Sequence, residues 1–357
     1  DTFSIDNLSV KEVTRDDLAR VDYTDGTSSL LVEPTRTNEI TYSEDFSEWD
    51  SNISGTGTSP VVTLNYATSP SGEQNASRLQ LDIGSGTTDS DFSQLSESIT
   101  ISNSTVYSRS IYIKSNTGSN QDIVIQTNGE SITTSTITTE WQRFEASPTS
   151  SDTSGFFRIR IRGNEGTVKT ADILIWGAQL EEGSYPTSYI PTDGGTVTRV
   201  QDQYEKTGIS NLINSAEGVL FAEMAALSND STRKAITLSD GTTSNRVMLR
   251  YQNSSNAVQC FINVGNVLYS NLNESSYTIT DFLKIAFKWK AGDFALWING
   301  AEVATSTDAT SFGVGVLTEL QFNEGDGAGS EYFGKVKQLQ VFKTALTDSE
   351  LETLTTI

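Results

Sequence analysis

From Asn38 to Arg199, short runs of alternating apolar and polar residues recur, each cut off by Gly, Ser, Thr or Asn, and no helical period interrupts them. A period of two makes each run show one face to a core and one to water, as in an antiparallel sandwich. The strands expected are Val61–Asn65, Ser77–Leu81, Val106–Lys114, Asp122–Thr127, Trp141–Ala146, Phe156–Arg162 and Asp172–Leu180. The stretch from Pro186 to Gly195 carries two prolines and two glycines and reads as a linker. Beyond Gln201 the pattern resumes in Gly218–Ala226, Ala235–Ser239, Arg246–Tyr251, Val258–Val264, Leu283–Lys290, Phe294–Asn299, Leu317–Asn323 and Tyr332–Phe342. Asn299-Gly300 predicts a type I′ hairpin turn into Glu302-Val-Ala304. Thr347 with Glu350 predicts a capping box, so the chain closes with one short helix that turns Leu351 and Leu354 to the sheet.

The fold class expected is therefore all-β: two antiparallel β-sandwiches, or jelly rolls, in tandem, with a short C-terminal helix. The domains expected are 38–200 and 201–357. Residues 1–37 read as an N-terminal connecting segment, the end of a preceding module. In it Phe3–Val13 alternates like a last strand, and Asp16–Asp25 is a connector.

Composition narrows the function. A hydrophobic fraction of 35% suffices because each strand buries one face only. With 24 basic and 46 acidic side chains the net charge is −22. That argues against nucleic-acid binding, which depends on cations, and disfavours anionic membranes. No apolar run is long enough for membrane insertion. The single cysteine, Cys260, forms no intrachain disulfide and lies in an apolar run, which predicts a buried, inert thiol. The chain has no histidine, which removes Ser-His-Asp and Cys-His catalysis and ordinary zinc sites. A glycosidase needs only two carboxylates, but the nearest strand pattern, Glu319 with Gln321 and Asn323, lacks the second. The expectation is that the protein is not an enzyme.

Two phrases bracket the first sandwich: Asn38-Glu-Ile-Thr-Tyr-Ser-Glu-Asp-Phe-Ser-Glu-Trp49 and Ala171-Asp-Ile-Leu-Ile-Trp-Gly-Ala-Gln-Leu-Glu-Glu-Gly-Ser-Tyr-Pro-Thr-Ser-Tyr-Ile-Pro191. They resemble the first and last strands of a carbohydrate-binding-module-like jelly roll. With Leu30-Leu-Val-Glu-Pro-Thr-Arg-Thr-Asn38 they are similar to bacteriophage tail and other virion proteins. The second half resembles laminin-G-like, concanavalin A-like sandwiches through Glu217–Glu223, Phe287–Gly300 and Gly334–Asp348. These resemblances imply an extracellular virion protein, such as a tail fibre or surface component, that attaches to host or environmental glycans. The alternatives are a purely structural decoration module bound to other virion proteins, and the accessory region of a polysaccharide-degrading enzyme. Fibres are usually trimers, but the sequence has no heptads or β-helix repeats to build one.

Calcium is the metal expected. In carbohydrate-binding jelly rolls it often joins first strand to last, which implies Glu44 or Asp45 with Asp172; otherwise Asp45 caps a turn and Asp172 pairs with an arginine. The acidic, glycine-rich loop Asn323–Glu331, with Asp326, and Asp240-Gly241 are further candidates, or plain hairpin loops. Alternation puts Arg158, Arg160 and Arg162 on one strand face, where they grip an acidic glycan or form a cross-strand ion-pair ladder. Trp176 and Trp289 read as core. Trp297, opposite Phe294, Leu296 and Ile298, is the tryptophan placed to be an exposed stacking platform for a sugar.

Overall fold

In Ser154–Arg162, Phe157, Ile159 and Ile161 are fully buried and the arginines between them take the other face, so alternation decides the strand's two sides. A computed structural model of the protein describes residues 19–24, 26–254 and 256–357. The strand expected over Phe3–Val13 lies outside them. The chain is almost all β and forms two compact units. Among the described residues no helix is long and apolar enough to cross a membrane.

One unit is Thr35–Gln201. Its first five-stranded sheet runs Thr134–Ile137, Gln121–Thr127, Ser154–Arg162, Phe92–Thr100, Asp50–Ser54. Its second runs Gln142–Ala146, Tyr107–Ser115, Thr170–Glu182, Ala76–Asp82, Val61–Ala67. All pairings are antiparallel. Leu79, Ile111, Ile113, Ile173 and Ile175 from one sheet meet Leu95, Ile123, Ile125 and Ile159 from the other. The opening phrase supplies a plug for this core rather than a first strand. Phe46 and Trp49 are buried, with ring centroids 5.1 Å apart, and the Trp49 indole donates to the Tyr42 carbonyl at 2.9 Å.

The segment read as a linker is strapped into this same unit. Thr187 and Ile190 are buried, and their N–H groups donate to Glu181 at 2.8 Å and Gln179 at 2.6 Å. Asn38, fully buried, donates to the Ala178 and Ile190 carbonyls and accepts from the N–H groups of Ile40 and Leu180. Much of the wording that resembles virion proteins thus serves backbone hydrogen bonding, which a buried chain must satisfy.

Asp91 shows how a loop is fixed in this unit. Its carboxylate accepts from the N–H groups of Thr56 (3.0 Å), Thr87 (3.1 Å) and Thr88 (2.9 Å) and from the Thr88 hydroxyl at 2.7 Å. Hydrogen bonds from Thr88, then from Thr56, hold this carboxyl well below the usual range. A depressed folded pKa contributes stability that is present above the unfolded value, about 3.9, and is lost as pH falls through the folded value. The melting temperature of this unit should therefore fall below about pH 4, and Asp91→Asn should flatten that slope in a pH series followed by calorimetry.

The other unit is Asp202–Ile357 together with the described residues up to Pro34. Its seven-stranded sheet runs Arg20–Asp22, Ser29–Val32, Gly334–Phe342, Glu217–Ala226, Leu283–Lys290, Phe294–Ile298, Ala301–Ser306. Its six-stranded sheet runs Glu205–Lys206, Glu319–Gln321, Lys234–Ser239, Arg246–Tyr251, Val258–Val264, Val267–Glu274. The expected connector is thereby corrected: Arg20–Asp22 and Ser29–Val32 are strands of this sandwich, and the unit of residues 35–201 is inserted into its sequence. The two crossings are stitched. Glu33 and Asp202 exchange backbone and carboxylate hydrogen bonds at 2.8 and 2.9 Å, and the Gln201 N–H donates to the Thr35 hydroxyl at 3.0 Å.

The two local predictions at this end hold. Asn299 and Gly300 have φ of 51° and 83° between the paired residues Ile298 and Ala301. The helix Asp348–Thr355 carries the Thr347–Glu350 capping box and buries Leu351, with Leu354 packed beside it. Cys260 is fully buried and burial pushes its thiol pKa up, so it is inert.

Candidate functional site: an arginine face on each sandwich

The outer face of the first five-stranded sheet gathers the three predicted arginines. Cross-strand register sets Arg158 between Ser96 and Gln126, Arg160 between Gln94 and Val124, and Arg162 opposite Phe92. Their commitments differ. Arg160 is buried, and its fork grips Glu165, with Nε 2.9 Å from Oε2 and Nη2 on Oε1. Arg162 stands 3.6 Å from the same carboxylate and donates to the Asp89 carbonyl. The ion-pair reading therefore describes Arg160 and, more loosely, Arg162.

Arg158 is different. It is half-buried, its Nε donates to the neutral Gln126 Oε1 at 3.0 Å, and its guanidinium lies 4.4 Å from the Phe156 ring centroid. Among the described residues no carboxylate pairs with it. Burial, then the neighbouring Arg160, lowers its pKa to about 10. It is still a full cation at neutral pH.

A second arginine face lies on the outer side of the six-stranded sheet, which sequence reasoning missed. Arg246 and Arg250 flank Phe261 with their guanidinium carbons 5.6 and 4.9 Å from its centroid. Arg250 Nε donates to Gln259 Oε1 at 2.6 Å. Burial, then the charge of Arg233, again lowers the Arg250 pKa to about 10. The available signal was the alternation Arg246-Val-Met-Leu-Arg250, which places both arginines on one face.

The acidic loop is bound down on that face. The hydroxyls of Thr237 and Ser239 donate to the Asn323 and Gly325 carbonyls at 2.6 and 2.7 Å. Gly325 has φ of 96°, and a Cβ there would sit 2.9 Å from Ser239 and Thr237 side-chain carbons, so only glycine lets the loop lie so close. The carboxylate of Glu324 then stands 3.6 Å from Arg246 and 4.0 Å from Arg250.

The expected calcium ligands are not brought together. Glu44 accepts from Asn75 and Tyr189, each at 2.9 Å. Asp45 caps a short 3-10 turn through the Ser47 N–H at 3.1 Å. Asp172 pairs with Arg78, Nε to Oδ1 2.8 Å, and this bond holds its carboxyl below the usual range. Asp240 accepts from Thr242 and Asn245, and Asp326 from the Ala328 N–H. Each carboxylate serves a local turn or partner, and among the described residues no group of three acidic, histidine or cysteine side chains is set to hold a metal.

The platform expectation for Trp297 is also corrected. Its ring does face away from Phe294, Leu296 and Ile298, but the C-terminal helix covers that side. Trp297 is 7% exposed and packs with Val219, Phe221, Ala286, Ala295 and Leu351. Trp289 and Trp176 are buried, as read from sequence.

Residues 222–352 match a family model, Laminin_G_3, described as the concanavalin A-like lectin/glucanases superfamily. This falls on the C-terminal sandwich. No curated protein matches the chain. Among solved structures, the CBM40 of Ruminococcus gnavus IT-sialidase is 17% identical over 42% of this chain and 86% of its own, with a TM-score of 0.36. Domain 4 of an extracellular arabinanase from Geobacillus stearothermophilus, in complex with arabinotriose, is 12% identical over 48% and 83%, with a TM-score of 0.35. A heptameric SAP-like pentraxin from Limulus polyphemus is 14% identical over 40% and 71%, with a TM-score of 0.32. Likeness at this level says nothing of a ligand.

Proposed function

We propose that the protein is a non-catalytic module that binds an anionic polysaccharide, with Arg158 as the principal anchor on the inserted sandwich. One observation carries this reading. In a chain of charge −22, three arginines crowd the outer face of one sheet, Glu165 is the one carboxylate that pairs with them among the described residues, and Arg158 has only a neutral amide as partner. A guanidinium in that state offers a planar fork to a sugar carboxylate or sulfate. Phe156 beneath it and Gln94, Ser96 and Asn52 across the strands add an apolar base and amide and hydroxyl groups suited to sugar hydroxyls. The resemblance of the bracketing phrases to virion proteins makes a particle surface, attaching to host or environmental glycan, the setting we propose.

The test is titration calorimetry of the full chain with an oligogalacturonate and a sulfated oligosaccharide. Arg158→Gln should weaken binding about tenfold or more, since it removes a charge-assisted hydrogen bond worth about 1.5–3 kcal/mol. Affinity should fall with salt and be unchanged by a chelator, because the donors are protein N–H groups. An Arg158→Gln protein that binds as tightly as the parent sinks the assignment.

The rival reading, a module that binds other particle proteins, is favoured by the edge strand Val61–Ala67, where Val61, Leu64 and Tyr66 are exposed. It predicts that Arg158→Gln changes nothing.

A further inference from the structure

The arginine face of the C-terminal sandwich repeats, on an unrelated stretch of chain, the chemistry of the inserted one. Each has an arginine whose Nε is bound to a glutamine carbonyl oxygen and whose plane lies near a phenylalanine: Arg158, Gln126 and Phe156 in one, Arg250, Gln259 and Phe261 in the other. On each face a single glutamate forms the ion pairs to the arginines, Glu165 in one and Glu324 in the other.

On the C-terminal face the cations are under-satisfied in three separate ways. Arg246 Nε is buried with no hydrogen-bond partner. Arg250 makes one hydrogen bond, through Nε, and its terminal nitrogens reach Glu324 only at 4.0 Å. Arg233 is exposed, and among the described residues it has no ion-pair partner. The Glu324 backbone carbonyl accepts from Arg246 Nη1 at 2.8 Å, but its carboxylate, held by the Ser330 hydroxyl at 2.5 Å, stands too far from either guanidinium for a hydrogen bond. The loop therefore parks one carboxylate over the face at long range and leaves the terminal nitrogens of Arg250 open.

We propose that Arg233, Arg246 and Arg250 form a second site for the carboxylate or sulfate of an anionic saccharide, next to the position that Glu324 holds. That the anion is a saccharide's rests on the function proposed above; that the face takes an anion rests on its own geometry. Glu324 acts as a tethered competitor, so the site should be weak at rest and should tighten when that charge is removed.

The experiment titrates oligogalacturonate and a sulfated oligosaccharide, in separate arms, into the full chain and its Arg158→Gln, Arg233→Gln, Arg250→Gln and Glu324→Gln variants. The two arms tell a carboxylate from a sulfate ligand. The expected result is a second, weaker event that survives Arg158→Gln, is weakened about tenfold by Arg250→Gln, and is tightened by Glu324→Gln. Arg233→Gln is the safeguard against a folding defect, since that side chain is exposed, and it too should weaken this event. If Arg158→Gln alone removes all binding, the second site is overturned and the first stands. If only Arg250→Gln and Arg233→Gln matter, the second stands and the first is overturned. If neither oligosaccharide binds the parent protein, both fall.

Discussion

Arg160→Ala should lower the unfolding free energy of the inserted sandwich by about 3–5 kcal/mol. The side chains of Arg160 and Glu165 are 4% and 8% exposed, and their bidentate contact is the tightest charge pairing on this face. Deleting one partner strands the other, and Arg162, at 3.6 Å, compensates only in part. Urea unfolding followed by tryptophan fluorescence reads this directly, because Trp49 lies in the core of the same unit. The double change Arg160→Met with Glu165→Leu should recover most of the loss, since a well-packed apolar pair often replaces a buried ion pair at little cost. A single mutant within about 1 kcal/mol of the parent would mean the pair is solvated and worth no more than a surface bridge.

The second large effect is expected at Trp297. Truncation to alanine removes a ring enclosed by Val219, Phe221, Ala286, Ala295 and Leu351 and should cost about 3–5 kcal/mol. The indole N–H is buried without a hydrogen-bond partner, which partly offsets the benefit of burying the ring. Trp297→Phe keeps the aromatic body and drops that orphan donor, so it should cost under about 1.5 kcal/mol. An Ala variant of unchanged stability that has lost glycan binding would restore the role of exposed platform.

Both positions show how far sequence alone reaches. Alternation placed Trp297 on the correct side of its strand, and periodicity set Leu351 and Leu354 toward the sheet, yet only the tertiary fold shows that these two surfaces meet. Alternation likewise aligned Arg158, Arg160 and Arg162. Which of them is committed depends on Glu165, which a turn beyond the strand carries back. The strand Phe92–Thr100 escaped notice because Ser93 and Glu97 occupy inward positions where apolar residues would have marked the period. Ser29–Val32 was passed over for a different reason: its partner, Gly334–Phe342, lies at the far end of the sequence. Local pattern identifies a strand and is silent about a partner that distant. The arginine face of the C-terminal sandwich was legible in spacing, but its relation to Glu324 depends on a glycine that lets a loop lie flat on a sheet.

The insertion has a mechanical consequence. Tension entering at Arg20 and leaving through the C-terminal helix is first borne by the interlocked edge of one sandwich: the three residue pairs from Leu30–Val336 to Val32–Gly334, and the clamp of Arg20 on Asp202 at 2.5 Å. While that edge holds, the crossings at Glu33 and Asp202 are shunted together, and the inserted sandwich is shielded from the pull. Once it shears, residues 35–201 come into series and stretch next. A chain built this way yields in two stages, with the first break at the short strand Ser29–Val32 and the Arg158 face on the part that is protected longest.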